Sequence, residues 1–306
     1  MEEEDNKEPE YVEEKTTIKH IVIAGGGATG FSFYGILKET NRLKQWDINN
    51  IHSIYGTSIG AALAVVLCLK YDWTTIDDYL IKRPWNNVYK FNMYSLIDSY
   101  HKRGMFDIKS LEETLSPLFN GKDISIDVTM KEFYDLTNIE LHMFATELNS
   151  YELIDFSYKS HPDWKVVEVA YCSACLPIMF SPFIKENKCY CDGGVIRNYP
   201  LEACIKNVSN TDEILGIRRI NKKGSINSVD EKSSLLDFMM ILFNNFSRKM
   251  FLLNNDIVLK NEYVVESEPT SILTMHTVLT NMEERIELIQ DGIDMVNRKF
   301  VDVIHF

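Results

Sequence analysis

The stretch "IHSIYGTSIGAA" (residues 51–62) places a serine at a sharp corner between two kinds of segment. Residues 51–55 alternate and are β-branched enough for a strand, and residues 59–69 are small and apolar and predict a buried helix. Between them stands Gly56-Thr57-Ser58-Ile59-Gly60, a G-x-S-x-G. On a tight strand-to-helix turn the serine hydroxyl is pushed clear of the backbone, and the flanking glycines remove Cβ atoms that would clash. That geometry suits a nucleophile. An ordinary turn uses the same residue types, so the surrounding chain has to discriminate.

Upstream, "TTIKHIVIA" (16–24) predicts a strand that runs into Gly25, Gly26, Gly27, Ala28, Thr29 and Gly30. "FSFYGILKETNRLKQW" follows with apolar residues at helical spacing. The order β-loop-α-β-turn-α implies parallel strands joined by crossover helices. Gly25, Gly27 and Gly30 fit G-x-G-x-x-G, which opens the alternative of a dinucleotide-binding fold. That fold wants an acid at the end of the second strand, whereas Asp47 precedes this strand and the Ser58 corner goes unexplained. The other use of such a loop is as an oxyanion hole, where backbone N–H groups converge on one developing negative charge. Loop and serine would then share the carboxyl end of neighbouring parallel strands, where open α/β sheets place their ligands.

A nucleophilic serine needs a proton acceptor. In a Ser–acid–His order His276 is the candidate, but its surroundings carry no mark of a catalytic loop. Asp192 in "CDGGVIRNYP" is the better partner, since it ends a predicted strand and Gly193 and Gly194 let the chain turn tightly beside it. A plain Asp-Gly turn is the bland reading of the same residues.

The ordered triple of G-x-G-x-x-G, G-x-S-x-G and Asp-Gly-Gly resembles the patatin-like phospholipase family. The likeness extends to "SACLPIMFSPF" before Asp192, to Asn198 and Pro200 after it, and to "ERIELIQDGIDMV" near the end. It covers roughly residues 18–300, and is weakest between 75 and 135. The resemblance implies a three-layer αβα fold with a mostly parallel central sheet, and a Ser-Asp dyad without catalytic histidine. Carried onto this chain, Ser58 is the nucleophile, Asp192 the proton acceptor and residues 25–30 the oxyanion loop. The implied reaction is phospholipase A-type hydrolysis of acyl esters of glycerophospholipids or related lipids through an acyl-serine, with no cofactor and no metal. Two positions depart from the family pattern: Thr29 stands where Lys or Arg is frequent, and Ile59 replaces a small residue and crowds the corner. A non-catalytic member of the same fold, holding lipid or a partner in its cleft, is the alternative from a different class.

Composition narrows the partners. The chain has 306 residues, is 45% hydrophobic and has a net charge of −13, which leaves no basic stripe for nucleic acid or for anionic lipid. The opening "MEEEDNKEPEYVEEK" carries eight acids without apolar spacing and predicts a solvated tail over 1–15. Residues 16–306 then read as one domain with a helical insertion at about 74–137 and a helical C-terminal part at about 229–306. With no signal peptide and no transmembrane run, the expectation is a soluble, cytoplasmic chain working peripherally at membranes or micelles, its oligomeric state open. Of six cysteines, Cys172, Cys175, Cys189 and Cys191 fall in a spacing that matches zinc knuckles poorly and read as free thiols.

Leu235, Met239, Leu242, Phe246, Met250 and Leu253 recur at spacings of three and four. A core-facing helix is the first reading of that stripe. The second is that part of it, with the flanking Met240 and Phe243, is exposed and dips into lipid, because so acidic a chain has no charge with which to reach a membrane.

Overall fold

The computed structural model describes residues 17–90, 100–222, 228–231, 233–252, 257, 259–269 and 271–304, without the side chains of 247–252 and 302–304. The acidic tail expected over 1–15 lies outside the described residues. Strand β1 (His20–Ile23) pairs in parallel with β2 (Ser53–Thr57), and the helix α1 (Gly30–Arg42) makes the crossover between them. Side chains alternate along β1 as a strand requires. Ile21 and Ile23 enter one hydrophobic core, while Val22 and Ala24 enter another on the opposite face. The first core is filled by α1 and α2 (Ile59–Cys68), and also by α6 (Val166–Ala174), which follows α3 (Trp73–Lys82), α4 (Ile108–Asn120) and α5 (Met130–Thr137) in the chain. The second is closed by α7 (Leu201–Asn207) through Leu201 and Cys204. Helices therefore cover both faces of the sheet, giving the three-layer αβα architecture expected.

Among the described residues the central sheet runs through eight strands. On one side of β1 lies β9 (Ile214–Asn221), then β10 (Glu262–Ser267), both parallel. On the other side β2 pairs in parallel with β4 (Glu140–Glu147), which forms an antiparallel hairpin with β5 (Glu152–Phe156). The strand β8 (Lys188–Asp192) is antiparallel to β4 and to β7 (Phe183–Lys185). A two-stranded sheet of β3 (Gly104–Phe106) and β6 (Ile178–Phe180) stands apart from it.

One detail of register positions the site. Along β4, Phe144 pairs with Thr57 and Asp155, while Ala145 pairs with Asp192 and Ile154. Since β5 takes one edge at both positions, β2 and β8 share the other, meeting head to head at adjacent β4 residues. The residue after Thr57 is Ser58.

The mainly helical insertion and C-terminal part each contain a strand as well, β3 in the first and β10 in the second. One sequence expectation needs correction, and it concerns α8 (Leu235–Leu252). Leu235, Met239, Leu242 and Phe246 are exposed, so the stripe does not face the core, and Met240 is buried while Phe243 packs against the main core. The faces are the reverse of those expected, because this helix is apolar on both sides and spacing alone cannot say which side finds a neighbour. The side chains of Met250 and Leu253 lie outside the described residues.

Candidate active site

Ser58 sits between β2 and α2 with φ 57° and ψ −124°, a backbone conformation that L-residues avoid. Such strain costs of order 1–3 kcal/mol and persists only where the surroundings impose it. Gly60 is one reason it persists. A Cβ there would lie 2.4 Å from the carbonyl oxygen of Ile23, so the first turn of α2 can press against the end of β1 only without a side chain. Ser173 on α6 is another. Its hydroxyl accepts the N–H of Ser58 at 3.0 Å and donates to the carbonyl of Phe144 at 2.7 Å, clamping the corner to β4. Ser173 is fully buried. A lone serine inside a helix gives no sequence signal of this role, although it lies in the "SACLPIMFSPF" stretch that carried the family likeness. Ser173→Ala leaves the Ser58 N–H and a buried carbonyl short of a partner, an expected cost of about 1–3 kcal/mol in urea unfolding. If Ser58 is chemically active, kcat should fall with KM held, whereas an unchanged kcat would limit Ser173 to a structural role.

Asp192 is 3% exposed. Burial pushes its carboxyl up to about 6, while the nearby Ser58 hydroxyl and the hydrogen bond from the Gly194 N–H favour the charged form. The Gly194 bond measures 2.7 Å and ends at Oδ1, and the Asp192 carbonyl is held by Thr146 at 3.1 Å. The structure thus brings together the two residues that the motifs single out. It does not bring in His276, which is exposed on α9 (Ile272–Thr280) while Met275 and Val278 of that helix face inward to a cavity. His142 is committed elsewhere: burial lowers its pKa, but hydrogen bonds to Asp155 and Glu140 outweigh this and raise it to about 8.

The glycine loop closes the site from a third side. Gly25 exchanges two hydrogen bonds with Asn198, at 3.0 Å from its N–H and 2.8 Å to its carbonyl, tying the loop to the segment that follows Asp192. A short turn, Gly27–Thr29, leads into α1, and the Thr29 hydroxyl donates to Ser267 at 3.0 Å. A hydroxyl therefore anchors the loop at the position where Lys or Arg is frequent in the family. The crowding expected from Ile59 is relieved by Gly30, where a Cβ would lie 2.3 Å from the Ile59 side chain. Gly56 and Thr57 end the strand and are buried beneath the corner, and Gly193 and Gly194 begin the turn Gly193–Val195 after Asp192.

Ser58, Gly27 and Ala28 line a cavity of about 180 Å³ whose remaining wall is almost wholly carbon, including Phe31, Leu63, Leu115, Phe106 and Met179. The three tyrosines that reach it spend their hydroxyls on protein, Tyr171 on the Ser181 carbonyl, Tyr79 on the Thr114 carbonyl and Tyr89 on the Thr114 hydroxyl. Such a lumen suits an apolar chain far better than a ribose or pyrophosphate. Cys172, Cys175 and Cys191 pack in the core, their thiols held protonated by burial.

Ser58 is thus a strained residue at the carboxyl end of the parallel strands, beside the end of the strand that carries the buried Asp192, and it opens on an apolar lumen. The family model described as patatin-like phospholipase matches residues 21–205, about three-fifths of the chain, and the chain belongs to that family. It is 29% identical over 190 residues to the "Probable lipid hydrolase 463L" of Invertebrate iridescent virus 6, a match spanning 61% of this chain and 63% of that relative. Less than two thirds of the relative's length is thus matched. The uncharacterized protein R571 of Acanthamoeba polyphaga mimivirus is 23% identical over 98% of this chain and 99% of its own. Among solved structures, VipD from Legionella pneumophila is similar in fold, with a TM-score of 0.50 at 15% identity, over 90% of this chain and 67% of that one. Among the described residues no helix is long and apolar enough to cross a membrane.

Proposed function

We propose that the protein is a serine lipid acyl hydrolase of the phospholipase A type, with Ser58 as nucleophile and Asp192 as proton acceptor. The observation that carries this reading is the convergence of Ser58, directly after β2, and the buried Asp192, at the end of β8, against adjacent residues of β4 and beside an apolar cavity. Family membership and the name of the iridescent virus relative support it.

The chemistry follows from the groups present. Ser58 Oγ attacks the ester carbonyl carbon and passes its proton to Asp192. The carbonyl oxygen becomes negative and is held by backbone N–H groups of the loop formed by Gly25, Gly26, Gly27, Ala28, Thr29 and Gly30. Collapse expels the alcohol, which takes the proton back from Asp192, and leaves an acyl-Ser58. Water repeats the sequence and releases the fatty acid. A carboxyl near pKa 6 is a better acceptor than an ordinary aspartate, because catalytic bases work best near the operating pH. The apolar lumen holds the acyl chain, and phospholipid is the substrate class that fits the family.

A fluorophosphonate probe, which labels only activated serines, tests the reading together with mass spectrometry of phosphatidylcholine digests. The expected result is one adduct on Ser58, with free fatty acid and lysophospholipid as products. A folded protein with no adduct and no product would instead be a lipid-holding member of the fold.

A further inference from the structure

We propose that the outward face of α8 is the surface by which the protein docks on a zwitterionic lipid bilayer, an inference that rests on the lipid-hydrolase reading above. The inner side of α8 packs against β6 and against the turn Gly193–Val195 that directly follows Asp192. Its Met240, only 2% exposed, forms a cluster with Phe106 and Met179, both of which wall the cavity beside Ser58. The helix is therefore fixed next to the site.

Its other face has no neighbour among the described residues to hide it. Leu235 is 75% exposed, Phe238 43%, Met239 39%, Leu242 53% and Phe246 48%. They stand at i, i+3, i+4, i+7 and i+11, which at 3.6 residues per turn is a stripe about 100° wide. A water-facing helix normally carries charge there. On α9, Leu273 is exposed in the same way while Met275 lines the cavity. Other helices also expose apolar side chains, such as Leu136 and Ile286. The inner sides of α8 and α9, however, meet in the cluster of Met240, Phe106 and Met179 that walls the lumen, with Ile272 and Met275 packed against it. That sets the exposed stripe of α8 close to the site. Isolated apolar side chains on a surface mean little, but a contiguous set marks an interaction surface.

Charge and substrate name the occupant. A lipid ester resides in an aggregate and must be reached there. With a net charge of −13 the chain is repelled by anionic phosphate surfaces, so the attraction available to it is apolar insertion. Methionine and phenylalanine adapt to an irregular acyl boundary. Met240 and Phe243, which face inward, are the wrong residues to vary, since their loss would report on folding.

The test uses the full chain carrying Ser58→Ala, so that vesicles stay intact, in co-sedimentation with phosphatidylcholine vesicles. Replacing Leu242 and Phe246 together by Ser should lower the partition coefficient about tenfold or more, with the melting temperature held because both side chains already face water. With Ser58 restored, the double variant should keep its turnover of a soluble short-chain ester and lose turnover on vesicles. Leu235→Ser, at the most exposed position, should weaken binding in the same direction. Adding phosphatidylserine to the vesicles should weaken binding. Equal binding by parent and double variant would overturn the proposal, as would binding that grows with phosphatidylserine. A parent that ignores vesicles but forms a dimer dissolved by the double variant would assign the face to a second copy and overturn it too. A protein that binds vesicles through α8 yet hydrolyses no ester would keep the docking surface and discard the hydrolase reading.

Discussion

Ser58→Ala is expected to lower acyl-ester hydrolysis by about 10⁴-fold or more while leaving the protein folded. The size follows from the loss of the nucleophile itself, which leaves only the loop donors and substrate binding to accelerate attack by water. The fold should survive because the change removes one hydroxyl, while the backbone bond from residue 58 to Ser173 and the packing of Gly60 on β1 remain. Stability should move by no more than about 1 kcal/mol. Turnover on a soluble ester and on phosphatidylcholine, with circular dichroism as the control for folding, checks both halves. Wild-type turnover from a folded Ser58→Ala protein would remove Ser58 from the mechanism.

Asp192→Asn should abolish activity nearly as completely and, unusually for a buried substitution, raise stability at neutral pH. Asparagine keeps the shape and can still accept the Gly194 N–H, but it has no basicity with which to take a proton from Ser58. In the proposed mechanism the two residues act as a unit, so the double variant with Ser58→Ala should be hardly worse than either single one. The stability effect comes from linkage. Burial raises the folded-state pKa to about 6, above the value of about 3.9 expected in the unfolded chain. Between those values the native state binds more protons than the unfolded one, so stability falls as pH rises from about 4 to about 6. Asparagine escapes that loss, and a gain of about 2 kcal/mol at pH 7 is expected. Thermal unfolding across pH 4–8 reads it as a flatter profile for the variant. In the wild type, the same group should give kcat/KM an acid limb near pH 6, below which activity falls as Asp192 takes up its proton. His276→Ala should shift neither profile.

Much of this site was legible in the chain because its parts are local. The G-x-S-x-G corner depends on five consecutive residues, and the contacts that demand glycine at position 60 lie in the strand next door. The glycine loop and the Asp-Gly-Gly turn are equally short-range. Their order along the chain was sufficient for the family, and the family match over residues 21–205 agrees with it. Strand β10 was harder to see, since "EYVVES" is short and lies between stretches of helical pattern. Ser173 was harder still, because a buried hydroxyl in a helix is defined only by what it meets.

The sequence by itself determined the elements and the three motifs, since propensity, glycine sterics and period depend on neighbours a few residues away. Tertiary structure alone decided that Ser58 and Asp192 meet, because that rests on the register of β2 and β8 against adjacent residues of one edge of β4. It alone raised the Asp192 pKa, which requires burial by segments remote in the chain. It also decided which face of α8 looks outward. A helix apolar on both faces has no preference of its own, and the contact of Met240 with Phe106 and Met179 leaves Leu235, Leu242 and Phe246 to the solvent.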